Sequence, residues 1–569
     1  MAAANLRLAR ANFADDLHPM FCPMFCPMLR NLSTVLLLIL CQSSATAQQT
    51  VGLFQNTPEA FDGYTLVGGL GSGTTHLIDN CGRVVNSWES DYTVGAASYM
   101  LADGDLLRCG KFETEFFTGG GIGGIVERFS WDGTLEWSMQ FANDTIHHHH
   151  DIAYMPGGNI LVLAWGVVSG EESADAGDVD AQSLWPEMVI EIEPIGADSG
   201  AVVWSWSTWD HLVQNVAPTL PNYGDPADFP GRFDVNYIGP GSASSISGDW
   251  QHWNAIDYNA ELDQIMLSSK RWNEIYIIDH STTTAQAATS IGGAAGRGGD
   301  ILYRWGNPIT YGRGTEEDKV LFGQHHAHWL TNESALLFNN GQNRPDGNYS
   351  SADEFTLPIQ ADGAYLLEDG ASYGPASLDW RYPETGNENF FASRISGAQR
   401  LPNGNTLICE GTKGHSFEVT PAGDIVWDYI TADGGQGVIT QSLEPIGNNT
   451  FRTTRYGADH PALAGFDLTP GAPVELDPLP SDCEIYAGLR DDLAAGHWGF
   501  TIFPNPASDR VTVQSDQPTT AVVRDLSGRV VWRSEWASDR HIIGIGNFAA
   551  GAYLVSTSNA TLAQLLIKY

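Results

Sequence analysis

The sequence predicts an all-β chain, a six-bladed β-propeller followed by a small C-terminal β-sandwich. Three observations carry this: a glycine-to-aromatic pattern that recurs, a hairpin pattern that recurs behind it, and a composition of 62 Gly and 18 Trp in 569 residues. That composition suits many short strands joined by turns. No long apolar pattern of period 3.6 competes with it.

The first pattern is a glycine, a short β-branched run and an aromatic. Its copies are Gly82-Arg-Val-Val-Asn-Ser-Trp88, Gly133-Thr-Leu-Glu-Trp137, Gly200-Ala-Val-Val-Trp204, Gly299-Asp-Ile-Leu-Tyr-Arg-Trp305, Gly374-Pro-Ala-Ser-Leu-Asp-Trp380 and Gly423-Asp-Ile-Val-Trp427. The second is a turn followed by an apolar run, as in Leu101-Ala-Asp-Gly-Asp-Leu-Leu107, Met155-Pro-Gly-Gly-Asn-Ile-Leu161 and Leu401-Pro-Asn-Gly-Asn-Thr-Leu407. Further copies lie at Tyr258 to Leu267, Leu330 to Leu337 and Glu444 to Phe451. Asn-Gly, Asp-Gly and Pro supply hairpin-turn chemistry. Six copies of a multi-strand unit imply a propeller, because each sheet buries its faces only against its neighbours.

Ahead of the repeats, residues 1–47 read as an over-extended start plus an export signal. Met28-Leu-Arg30 supplies a start and a positive charge, Leu32 to Leu40 the apolar core, and Ala45-Thr-Ala47 a small-x-small cleavage site. The apolar run is too short for a membrane span. Export leaves Cys81, Cys109, Cys409 and Cys483 of the seven cysteines, an even number compatible with disulfides. Cys81 lies in the first repeat and Cys483 near the end of the propeller, so a bridge between them would close the ring. The propeller is expected over 48–490, a linker over 491–498, and the sandwich over 499–569.

Formal charge is −40, from 28 basic and 68 acidic side chains. Phosphate neutralisation needs clustered Lys and Arg, so nucleic acid and anionic membranes are disfavoured as partners. An anionic substrate would need local positive groups inside a negative overall field.

Histidine is the reactive residue that stands out. It clusters at His147 to His150, at His252 within Asp249-Trp-Gln-His-Trp-Asn254, and at His325, His326 and His328 within Gln324-His-His-Ala-His-Trp329. His150, His252 and His325 each fall just before a hairpin pattern, the same place in three blades. Equivalent places in a rotationally repeated fold lie in one ring, which implies a site assembled at the axis. Imidazole packs structurally, binds metals, moves protons or acts as a nucleophile. No His-Glu-x-x-His occurs, and no carboxylate is tightly spaced to the later islands. Metal catalysis is therefore disfavoured, and no cofactor is expected. A non-catalytic propeller binding an anionic glycan or protein, and a hydrolase, stay open as alternatives.

An ordered set of segments resembles the bacterial arylsulfotransferases: Asp249 to Asp257, Leu267-Ser-Ser269, Leu302-Tyr-Arg-Trp-Gly-Asn-Pro308, Phe322-Gly-Gln-His325, Leu337-Phe-Asn-Asn-Gly341 with Arg344, and Arg400 to Leu407. The resemblance implies transfer of a sulfuryl group from an aryl sulfate donor to a phenolic acceptor through a sulfohistidine, by ping-pong kinetics and without a nucleotide donor. It makes His325 the nucleophile, and His252 and Asn254 partners of the sulfate and leaving group. His149 or His150 becomes a further sulfate contact, and Thr412 a lining residue. Where the family commonly has Arg after Ser-Ser, this chain has Lys270 and then Arg271. Alternate strand residues face opposite sides, so one of the two should enter the cavity. Trp253, Trp305 and Trp329 are candidate aromatic walls. The C-terminal run resembles the sorting domains of the type IX secretion system of Bacteroidetes, in Pro504-Asn-Pro506, Asp525-Leu-Ser-Gly-Arg529, Gly551-Ala-Tyr-Leu554 and Lys568. It implies the type IX machinery as a partner, with release or surface anchoring.

Overall fold

The structure, a computed structural model, describes residues 49–238, 248–479 and Cys483, then most of the strand-forming residues between 500 and 568. The export signal of 1–47, the 491–498 linker and Pro504-Asn-Pro506 lie outside the described residues.

Six antiparallel sheets form the propeller, five of four strands and one of five. The second to fifth blades each use four consecutive strands, within Val94–Gln140, His147–Ser207, Trp253–Trp305 and His325–Tyr382. The first blade joins the chain's two ends: Thr454–Gly457 pairs with Gly63–Val67, followed by Thr74–Asp79 and Val84–Glu89. The sixth blade, from Gly397–Arg400 to Ile425–Ile430, gains Gly52–Asn56 as a fifth strand. A disulfide joins Cys81 to Cys483, as the sequence positions suggest. Cys109 and Cys409 are free and buried.

Both repeated patterns have a physical reason in this ring. The glycine-to-aromatic copies lead into the fourth strand of each blade, and each tryptophan reaches across to the next blade. The indole N–H groups of Trp88, Trp137, Trp204, Trp305, Trp380 and Trp427 donate to Ser130 O, Ser199 O, Thr282 Oγ1, Pro375 O, Pro421 O and Asn80 O. A buried indole needs such a partner. The last of these bonds runs from the sixth blade to the first and so completes the circle. Between them, six apolar clusters each draw residues from two adjacent blades. Trp253 packs there against Trp206 and Tyr276, and Trp305 stacks on Phe355 at 4.3 Å. Both are therefore blade packing, not walls of a substrate site.

One repeat differs from the expectation. Five hairpin copies join an inner strand to the next strand of its blade, but Glu444 to Phe451 does not. It leads into Thr454–Gly457, whose neighbour comes from the N-terminal side of the ring, so no hairpin forms there.

The C-terminal segment forms a three-stranded sheet, built on Phe500–Phe503, Arg510–Ser515 and Arg540–Gly544, and a four-stranded sheet. Val511, Val523, Ile543, Val555 and Leu566 form its core, as the alternating pattern predicts for a sandwich.

Candidate active site

The inner strands His147–Tyr154, Trp253–Asn259 and His325–Thr331 lie side by side around the axis. Each carries or adjoins a histidine in the left-handed region, at φ 55° for His150, 56° for His252 and 53° for His326. The backbone counterpart of His150 and His252 is thus His326, and His325 precedes it by one residue. Pairing is broken by an irregularity within each of these strands, which frees the local geometry to turn side chains toward the axis.

His325 is the most constrained of the group. Its Nδ1 lies 2.7 Å from Asn340 Oδ1 and 3.1 Å from Gly323 O, both acceptors, so the proton sits on Nδ1. The amide of Asn340 is oriented by donating to Ala392 O at 2.7 Å and Ile395 O at 3.0 Å. The lone pair therefore lies on Nε2, where the Ile395 N–H donates to it at 3.1 Å. Ile395 and Ser396 both have positive φ, 50° and 89°, so this turn is held in a strained conformation. Burial, reinforced by the nearby Lys270 cation, pushes the His325 imidazole well below its ordinary value and keeps it neutral.

Lys270 and Arg271 take different tasks. The Lys270 side chain approaches Gly323, beside His325, and has no ion-pair partner among the described residues. Burial, then the Arg271 charge, lowers its pKa. Arg271 instead donates to Asp249 Oδ2 at 3.1 Å. The same oxygen accepts from His252 Nδ1 at 2.6 Å. Burial pushes the Asp249 carboxyl up, but the His252 and Arg271 partners outweigh it and bring it down to about 2. Asp249 is thus an ionised anchor that orients His252.

His150 meets His252 edge to face, with ring centroids 4.7 Å apart. Its Nδ1 lies 2.9 Å from His149 Nδ1, so one ring donates and the other accepts. His149 stacks on Trp165 at 4.1 Å and faces Glu187 at 2.9 Å without the alignment of a formed hydrogen bond. Burial lowers His149 to about 3 and His150 well below the ordinary range, and it raises Glu187. His149 is fully buried, so it supports His150 from behind.

Two further residues of the expected site lie close to the ring. Asn254 is fully buried and donates to Gln324 O at 2.7 Å, which ties the fourth blade to the residue before His325. Its Oδ1 is buried without a hydrogen-bond partner among the described residues. Thr412 follows Gly411, which packs on Ile395, but no hydrogen bond joins Thr412 to the histidines among the described residues. Arg344 donates to Tyr349 O and Ser351 Oγ.

Two parts of the site escape a reading of the sequence. Asn340 is visible there only as one residue of a motif. The second part is Thr118-Gly-Gly-Gly-Ile-Gly-Gly124, which roofs the histidines. A Cβ at Gly121 would lie 2.0 Å from His150 Nε2, one at Gly123 2.2 Å from His148 Nδ1, and one at Gly119 2.7 Å from Trp165. Five glycines in seven residues are the signal that could have marked it. Among the described residues no group of three or more His, Cys, Asp or Glu side chains could hold a metal ion.

Fold and site together define a propeller with neutral, buried His149, His150 and His325 at its axis, backed by one lysine and by an ionised Asp249 bonded to His252. The chain belongs to the arylsulfotransferase (ASST) family, whose model matches residues 124–441. A second model, the secretion system C-terminal sorting domain, matches residues 501–568. The chain is therefore a secreted or cell-surface, arylsulfotransferase-like protein that exits through type IX secretion. No helix among the described residues is long and apolar enough to cross a membrane. No curated protein matches the chain. Similar solved structures include a protein of unknown function from Bacteroides caccae, 12% identical over 70% of this chain and 99% of that one, with a TM-score of 0.38. A periplasmic gluconolactonase from Pseudomonas aeruginosa is 12% identical over 85% and 99%, with a TM-score of 0.32. Virginiamycin B lyase from Staphylococcus aureus is 10% identical over 68% and 89%, with a TM-score of 0.26.

Proposed function

We propose that the protein moves a sulfuryl group from a phenolic sulfate ester to a phenolic acceptor through a sulfohistidine at His325, with no nucleotide donor. The observation that carries this is the fixed tautomer of His325. A buried imidazole with its proton committed to Asn340 and Gly323 presents a lone pair on Nε2 and stays unprotonated, which is what a nitrogen nucleophile requires.

In the first half-reaction the Nε2–S bond forms as the bond from sulfur to the aryl oxygen breaks. Negative charge gathers on the sulfuryl oxygens and the departing phenolate. Lys270 meets the former as a point charge, and the Ile395 N–H, released from Nε2, becomes a second donor. His252, oriented by Asp249, supplies the proton that converts phenolate to phenol, and the neutral His150 packs beside it. In the second half-reaction an acceptor phenol returns that proton as its oxygen attacks sulfur and Nε2 departs. Leaving group and nucleophile are both phenols, with pKa about 10, so the exchange is close to thermoneutral. Lys offers one charge where Arg would offer a fork; the position therefore tolerates donors of varied shape but grips each less firmly. Arg271 acts at one remove, through Asp249, on His252.

The test mixes the intact protein with a chromogenic aryl sulfate, with and without a phenol acceptor, beside His325→Asn. Acceptor-dependent release of aryl alcohol should vanish in the variant, and a labelled sulfuryl group should be trapped on wild-type protein alone. Equal turnover by His325→Asn removes His325 as nucleophile. Release that ignores the acceptor assigns a hydrolase instead.

A further inference from the structure

The inner strands end in a second cavity, at their hairpin ends, of about 760 Å³. That is within the range of small-molecule sites. It is lined by His326 and His328 of the strand that carries His325, by Arg452 and by the aromatic rings of Tyr154, Tyr258 and Trp329. No role in the transfer chemistry uses it.

Two of its imidazoles have settled tautomers. His326 Nδ1 accepts the Ala398 N–H at 3.3 Å, so its own proton is on Nε2. His328 Nδ1 lies 3.1 Å from His326 O, an acceptor, so His328 carries its proton there and offers a lone pair on Nε2. The rings stack with centroids 4.4 Å apart. Side by side they present one donor and one acceptor, the complement of a hydroxyl that both gives and takes a hydrogen bond. The three aromatic walls suit a planar ring.

Charge narrows the ligand further. Arg452 Nη1 donates to Asp151 Oδ2, at 2.9 Å, and to the Tyr99 hydroxyl, while its Nε and Nη2 are buried without a hydrogen-bond partner among the described residues. Asp103 and Asp257 also line the cavity. His460, the remaining titratable group there, has its Nδ1 occupied by the Ala462 N–H at 3.2 Å. Arg452, whose charge is balanced by Asp151, is the one Lys or Arg among the described residues that lines the space, so a sulfate ester or carboxylate would meet the Asp103 and Asp257 carboxyl groups without net compensation. We propose that this far mouth is a second, non-reacting site that binds an uncharged phenol and excludes its sulfate ester. Binding there requires no turnover, so the proposal stands apart from the sulfotransfer reading.

The test is calorimetric titration of the full chain with 4-ethylphenol and, separately, with phenyl sulfate. Ala102→Trp narrows the mouth from an exposed position, and His328→Phe removes the acceptor while keeping the ring. Each should abolish one equivalent of ethylphenol binding or weaken it at least tenfold, and phenyl sulfate should not displace that equivalent. Two equivalents in wild type with one lost in both variants supports the site. One equivalent lost in both variants also supports it, and then counts against phenol binding at the histidine ring. Binding that ignores both changes but disappears in His252→Ala overturns the proposal, as does no binding at millimolar ethylphenol. Equal competition by phenyl sulfate overturns the selectivity. If His328→Phe fails to fold, Ala102→Trp decides alone.

Discussion

At the scale of single residues, the nucleophilic role proposed for His325 rests on a neighbour, Asn340, that sets its tautomer. Asn340 holds the proton on Nδ1 and, through Ala392 O and Ile395 O, also holds the turn whose N–H faces Nε2. Asn340→Leu should lower kcat on the order of 10⁴-fold, the scale seen when a histidine loses the partner that sets its tautomer. KM should change little, and single-turnover kinetics would show whether chemistry is the step affected. The pH profile follows from the same neighbourhood. Burial and Lys270 hold His325 neutral, so kcat/KM should stay flat as pH falls through the ordinary histidine range and drop only well below it. Removing the cation in Lys270→Met should move that acid limb to higher pH. An unmoved limb would mean that Lys270 does not act on His325. His325 itself is legible from its motif, whereas Asn340 is not, because its role depends on a contact across 15 residues that only the folded strand pair creates.

At the scale of elements, the site is built where regular structure gives way. Three inner strands lose pairing beside a left-handed histidine, and residues 118–124 lie over the rings with hardly a side chain of their own. Gly121 is the tightest point, with φ 77° as well as the 2.0 Å approach to His150. Gly121→Ala should push the His150 ring against His252 and cost at least about 10²-fold in kcat, the contribution of one general acid. The folded protein should remain, because the loop lies outside the blade-to-blade clusters; a variant as active as wild type would show that the loop is not a roof. Blades are legible because a period of two and a fixed tryptophan recur, and the indole bonds explain that recurrence. The one-residue offset between His325 and His326 is not, since equal spacing to a hairpin hides a local irregularity. Glu444 to Phe451 passes for a hairpin for a related reason: turn residues mark a bend but not which strand follows it.

At the scale of the whole molecule, the ring is shut by Gly52–Asn56 on the sixth blade, Thr454–Gly457 on the first, and the Cys81–Cys483 bridge across 402 residues. The chain-entropy account assigns a loop of that length about 6 kcal/mol. Cys483→Ser should therefore unfold at a lower temperature yet keep its activity, since both strand closures survive, and added reductant should bring wild type to the same midpoint. Acid acts on the molecule as a whole through the buried histidines. His149 titrates at about 3 in the folded state against about 6.5 when unfolded. Between those values the unfolded chain binds more protons, so stability is full above the unfolded value and is lost as pH falls, by about 1.4 kcal/mol per unit for each such group. His148, His150 and His325 shift in the same direction. Glu187, raised by burial, works in the opposite sense, so the total slope is a balance. The difference between wild type and His149→Gln isolates one group: urea unfolding from pH 7 to pH 4.5 should show the variant losing stability less steeply. Parallel slopes would mean that His149 is already protonated in the fold, and that the histidine ring is not the neutral cluster on which attack at sulfur depends.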